Sequence, residues 1–103
     1  MKRINWIMLL IASTALPSHA EVGNASAGRH IVATVCSHCH GIKLPSADAP
    51  FPPLAGRDAT YLTMALEQYR NRTRHSDIMN AMAGQLSDTD IRNIVAYYSK
   101  LTP

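Results

Sequence analysis

Cys36-Ser37-His38-Cys39-His40 gathers both cysteines of this 103-residue chain, and no other segment restricts the fold as tightly. On a helical turn, residues three apart face the same side, so both sulfurs can reach one edge of a single planar group. The histidine beside the second thiol then presents its imidazole from the same turn. A Cys-x-x-Cys pair also serves as a redox dithiol, but that use follows a strand in a βαβ unit, and the residues before Cys36 read as helix. Half a zinc site is a second alternative. With no third cysteine, His38 or His40 and one distant histidine would have to complete the tetrahedron, an unusual ligand set. A disulfide between residues three apart closes too small a loop to stabilise much. The spacing best fits addition of both thiols across the vinyl groups of a porphyrin, which gives one covalent haem with His40 as the proximal ligand.

The first twenty residues are not expected to belong to the folded product. Lys2 and Arg3 make a positive start, residues 4–16 are mostly apolar around Trp6, Leu9, Leu10 and Ile11, and Ser18-His19-Ala20 offers small residues at a cleavage point. This is the pattern of a secretory signal peptide, residues 1–20, cut after Ala20. The alternative is a retained anchor. Against it, the apolar run is shorter than the roughly 20 residues of a spanning helix, and Pro17 interrupts its end. The expected product is therefore one exported domain, residues 21–103, without a membrane span. A domain of this size buries only about 60% of its chain surface. The haem has to supply part of the core, and the haem-free chain is expected to fold poorly.

Charge narrows the partners. Ten Lys and Arg face seven Asp and Glu. Loss of Lys2 and Arg3 leaves a net charge of +1, and ionised haem propionates bring it slightly negative. Nucleic-acid binding is not indicated. The remaining basic feature is local, Arg70, Arg72 and Arg74 in alternation. Cations at a helix end suit the negative pole of its dipole; pairing of one with a propionate or an acidic partner is the other reading.

Three helical stretches and two irregular ones follow from the pattern. Asn24 or Ser26 can cap a first helix with Ala27, Ile31, Thr34 and Val35 on one stripe, and Gly28 leaves room for another helix to approach. Residues 41–56 contain Pro45, Pro50, Pro52 and Pro53, which excludes regular helix and predicts a loop on the proximal side of the haem. Asp58 caps a second helix with Leu62, Ala65, Leu66 and Tyr69 on its buried face, while Met64 lies off that stripe. Residues 71–85 lack clean periodicity and carry two candidate iron ligands, Met79 and Met82. The last helix is the clearest: Ser87 and Asp90 form a capping box, and Ile91, Ile94, Val95, Tyr98 and Leu101 make a wide apolar face. Tyr97 and Tyr98 are expected to pack against the first helix near Gly28.

Taken in order, Cys36-Ser-His-Cys-His40, Phe51-Pro-Pro-Leu-Ala-Gly56, Tyr61-Leu62, Met79, Leu86-Ser-Asp-Thr-Asp-Ile91 and Ala96-Tyr-Tyr98 resemble a small class I c-type cytochrome. The chain is most similar to one half of the tandem dihaem bacterial cytochromes c and to their monohaem relatives. Pro53 and Arg57 depart from the pattern, which has a polar or basic residue and a glutamine at those places. The resemblance implies an all-α fold of three to four helices wrapped around the haem, with Cys36 and Cys39 holding the porphyrin. It also implies His40 and Met79 as axial ligands, Met79 being seven residues before Leu86, and Pro52 as the carbonyl that accepts a hydrogen bond from the proximal imidazole.

The function implied is periplasmic one-electron transfer in a respiratory chain, not catalysis, because two filled axial positions leave no site for a substrate. Partners would be redox proteins: a dehydrogenase, an oxidase or another cytochrome. Two alternatives stay open. One is a haem subunit bound permanently to an exported dehydrogenase or oxidase; the other is a haem enzyme or gas sensor with a labile sixth ligand, in which His75 could replace the thioether.

Overall fold

The computed structural model describes residues 22–43 and 51–102. The expected signal peptide and part of the proline-rich loop, with Pro45 and Pro50, lie outside these residues. The described residues form helices and turns and no strand, the all-α class expected.

Asn24 is the first cap. Its side-chain oxygen accepts the Ala27 N–H at 3.2 Å and opens α1, Ala25–Ile31. The helix then widens into a π segment, Val32–Cys36, and tightens again into α2, Ser37–His40. Thr34 and Ser37 turn their hydroxyls back to the carbonyls of His30 and Ala33 at 2.8 and 2.9 Å, a local competition that distorts helices. Such π turns concentrate where side chains are aimed at a site, and Cys36 ends this one. Gly41 stops the run at φ 67°, a left-handed conformation.

Asp58 caps α3, Ala59–Asn71, by accepting the Tyr61 N–H at 2.9 Å. Leu62 and Ala65 are buried as the stripe requires, and Met64 is exposed. The helix ends on Arg72, left-handed at φ 67° and ψ 17°. A side chain there costs about 1–2 kcal/mol, more than the roughly 0.5–1 kcal/mol of chain entropy that glycine adds. Arg72→Gly should therefore raise the thermal midpoint by a few degrees in a calorimetric scan; an unchanged or lower midpoint would refute the strain.

The segment 71–85, read as irregular, contains a helix. α4, Asp77–Ala83, is capped by Ser76, whose hydroxyl accepts the Met79 N–H at 3.3 Å. Two turns are too short to show a periodic apolar face, and one of its two buried residues is polar. That residue is Asn80, 6% exposed. It accepts the Ser76 N–H at 3.0 Å and donates to the carbonyls of Tyr69 and Arg74 at 2.8 and 2.9 Å. One amide thus ties the end of α3, the following turn and the start of α4 together.

α5, Asp88–Lys100, starts in the predicted capping box between Ser87 and Asp90. Ile91, Ile94, Val95 and Tyr98 join Val32 and Leu62 in the core. Gly28 makes the crossing with α1 possible: a Cβ on it would lie 1.9 Å from the Asn93 carbonyl oxygen. The Asn24 N–H also donates to the Asn93 side chain, at 2.8 Å. The residue opposite Gly28 is therefore Asn93, a turn before the tyrosine pair expected there.

Tyr98 reaches further along the chain. It is 1% exposed; its hydroxyl donates to the Gly41 carbonyl and its own carbonyl accepts the Gly56 N–H, both at 2.8 Å. Those glycines bracket the proline-rich loop. Burial pushes the hydroxyl well above the usual tyrosine range, so it stays protonated as the donor.

Candidate functional site

The helices enclose a cavity of about 530 Å³. Cys36, Cys39 and His40 line it from one side, Leu62, Ala65, Leu66 and Tyr69 come from α3, Met79 and Met82 from α4, and Ile94, Val95 and Tyr98 from α5. The apolar lining and the volume are those of a site for one organic group.

His40 is the only charged or polar residue besides Asn80 buried among the described residues. Its Nδ1 lies 2.8 Å from the Pro52 carbonyl oxygen. A carbonyl can only accept, so Nδ1 carries the hydrogen and Nε2 keeps its lone pair. Proline has no N–H of its own, so this carbonyl is the one hydrogen-bonding group its backbone can offer. Phe51 adds an edge contact, its ring centroid 6.0 Å from that of His40. The two positions that depart from the resembled pattern meet one residue further on, where Arg57 Nε donates to the Pro53 carbonyl at 2.8 Å.

Both thiols are free and half-buried. Burial pushes the Cys36 thiol up. His38, between them, is exposed and donates to the Thr34 carbonyl at 2.9 Å. Met79 is partly buried and Met82 exposed, and both line the cavity because residues three apart share a helix face. His75 is not on the wall; its imidazole is solvent-exposed, 3.7 Å from Asp77. Among the described residues no three histidine, cysteine or acidic side chains gather as a metal site.

This donor set fits a haem: two thiols at one edge, an imidazole with its lone pair fixed by a hydrogen bond, thioethers on the same cavity, and apolar walls between. Residues 23–97 match the family described as cytochrome c oxidase, cbb3-type, subunit III. The chain is 40% identical over 80 residues to cytochrome c-554(548) of Halomonas halodenitrificans, covering 75% of this chain and 95% of that protein. It belongs to the cytochrome c family.

This cytochrome is also 32% identical over 102 residues to the thiosulfate dehydrogenase electron acceptor of Stutzerimonas stutzeri, covering 93% of the chain and 47% of that protein. The solved cytochrome c4 of Acidithiobacillus ferrooxidans superposes with a TM-score of 0.70 at 27% identity, over 80% of this chain and 53% of that one. The chain thus spans about half the length of those two relatives. As a member of the family it takes a covalently attached haem c and transfers electrons. No helix among the described residues is long and apolar enough to cross a membrane.

Sequence reasoning missed Asn80 and the two-ended hold of Tyr98. The Ser76-Asp77 pair, a helix-start signature, was the available signal for α4. Nothing local marks the bonds of Tyr98, whose partner Gly41 is 57 residues away.

Proposed function

We propose that this cytochrome is a periplasmic one-electron carrier, exported by a signal peptide at residues 1–20 and active as residues 21–103. Cys36 and Cys39 hold the haem, His40 and Met79 occupy the two axial positions, and Pro52 orients the imidazole. When bound, the haem supplies an Fe(III)/Fe(II) couple. The observation that carries this reading is the His40–Pro52 hydrogen bond at 2.8 Å. It fixes the ring and tautomer, raises the basicity of Nε2, and aims a ligand with no other protein task into an apolar cavity. Met79 is chosen over Met82 because it is the more buried of the two and sits seven residues before Leu86, where the family's ligand lies. With imidazole and thioether both in place no coordination position stays open, so the role is transfer and not turnover. A thioether also favours the reduced state relative to a second imidazole.

Redox proteins are the partners. Val35, Tyr61, Ile78 and Met82 are exposed and line the cavity, an apolar rim suited to brief docking. The same rim favours a second reading, a subunit held permanently on an exported dehydrogenase; co-elution with such an enzyme at nanomolar concentration would select it.

One experiment tests the main reading. The exported protein should have the intact mass of residues 21–103 plus one haem, and its ferric form should show the sulfur-to-iron charge-transfer band. Met79→Ala should lose the band and lower the potential, while Met82→Leu keeps both. The opposite pattern reverses the ligand assignment, and no band in the parent protein sinks it.

A further inference from the structure

α4 is oriented by a polar side chain. Its two buried residues are Asn80 and Ala83, and the described core takes no residue from it. The helix carries Met79 and Met82, about 60° apart around its axis and about 4.5 Å apart along it, so a modest rotation or slide changes which thioether the cavity receives. One small apolar contact cannot fix that rotation. The far end is tied beyond the helix at Leu86, which packs on the core and whose carbonyl accepts from Arg70 at 3.3 Å. A tether at one end leaves the helix free to turn about its axis.

Asn80 supplies the missing constraint at the near end. Its Nδ2 donates to the carbonyls of Tyr69 and Arg74 at 2.8 and 2.9 Å, and its Oδ1 accepts the Ser76 N–H at 3.0 Å. Carbonyls only accept and a backbone N–H only donates, so a single orientation of the side-chain amide satisfies all three. Tyr69 belongs both to α3 and to the cavity wall. Ser76 passes the constraint on, since its hydroxyl accepts the Met79 N–H at 3.3 Å. The other consequence falls on His75, which lies between the Arg74 carbonyl and the Ser76 N–H. With the backbone fastened on both sides, its imidazole stays in solvent beside Asp77, 3.7 Å away. Asn80 is 6% exposed, so these bonds are not exchanged for water unless the segment opens.

We propose that Asn80 is a positioning residue that selects the sixth ligand: by fastening the start of α4 and both sides of His75 to the end of α3, it holds Met79 on the iron and His75 off it. The proposal rests on the reading of Met79 as the axial ligand. Imidazole suits iron as a ligand, so the choice between two side chains four residues apart falls to the backbone that carries them. Displacing Met79 then requires α4 to open, and an outside ligand binds only the open fraction.

The test titrates free imidazole into the ferric, haem-loaded protein at one neutral pH, with Asn80→Ala and Asn80→Asp, the second keeping the acceptor and losing both donated bonds. Each variant should bind imidazole about tenfold more tightly than the parent, the factor that one good hydrogen bond is worth, and should lose part of the sulfur-to-iron band to a bis-histidine spectrum. Adding His75→Gln to Asn80→Ala should return the band; an unrecovered band overturns the exclusion of His75. Ile91→Val weakens the core outside α4 and off the cavity wall, and should leave imidazole affinity unchanged. An equal gain in affinity from Ile91→Val overturns the proposal. So does an Asn80 variant with a lower thermal midpoint but the parent's band and affinity, since it has lost stability alone. The unaltered protein gives a check that needs no variant. Saturating imidazole should release the Ser76 amide to hydrogen exchange, and a Ser76 amide still protected overturns the proposal. A parent whose band is absent, or survives Met79→Ala, sinks the ligand assignment and this proposal together. A band that Met79→Ala removes, with Asn80 variants that behave as the parent, sinks this one alone.

Discussion

Haem-free protein, prepared as Cys36→Ser/Cys39→Ser and stripped of any haem it binds, should lose most of its helical circular dichroism. The argument is one of size. Without the group, the apolar walls of a cavity of about 530 Å³ would be left facing water, and each large apolar side chain so exposed forfeits about 1.5–3 kcal/mol. A domain of about 80 residues has only about 4–12 kcal/mol of stability in total. The chain cannot hold these walls apart around nothing. Leu62, Ile94, Val95 and Tyr98 belong both to the core and to the wall of that space. A cooperative unfolding transition and full helix content in the haem-free chain would refute this account of the fold.

Gly28→Val should prevent the loaded protein from accumulating in folded form. The Cβ would meet the Asn93 carbonyl oxygen at 1.9 Å and its carbon at 2.4 Å, and both obstacles are backbone of α5, which no rotamer change can move aside. Overpacking that side chains absorb costs about 1–3 kcal/mol, and here the two helices have to part instead. The capping interaction of Asn24 and the hydrogen bond from its N–H to Asn93 lie at the same crossing and would loosen with it. Gly28→Ala already carries the offending Cβ. A normal yield and melting temperature for Gly28→Ala would show that the crossing is looser than described.

The sequence was most legible where chemistry or capping is local. Cys36, Cys39 and His40 could be read as one site because they fall within five residues, and they do line one cavity; Ser87 with Asp90 likewise announced α5 from positions three apart. Pro52 came only through the family pattern, since its carbonyl meets His40 across 12 residues. α4 was lost because its burial is carried by Asn80, an amide where a periodic reading looks for an apolar side chain. The close approach at Gly28 was legible, but the residue of α5 opposite it was not, for a related reason. A glycine signals that something comes close but not what, and the partner turned out to be the backbone of Asn93, which has no signature in sequence. Met79 and Met82 stay adjacent in structure as in sequence, since one helical turn puts both on the same wall.

Tyr98 couples both ends of the proline-rich segment to the last helix. The loop carrying Pro52 is held at its two ends by this one residue, through the carbonyl of Gly41 and the N–H of Gly56. One of the two bonds is made by the side chain and the other by the backbone, so removal of the hydroxyl frees the Gly41 end and leaves the Gly56 end anchored.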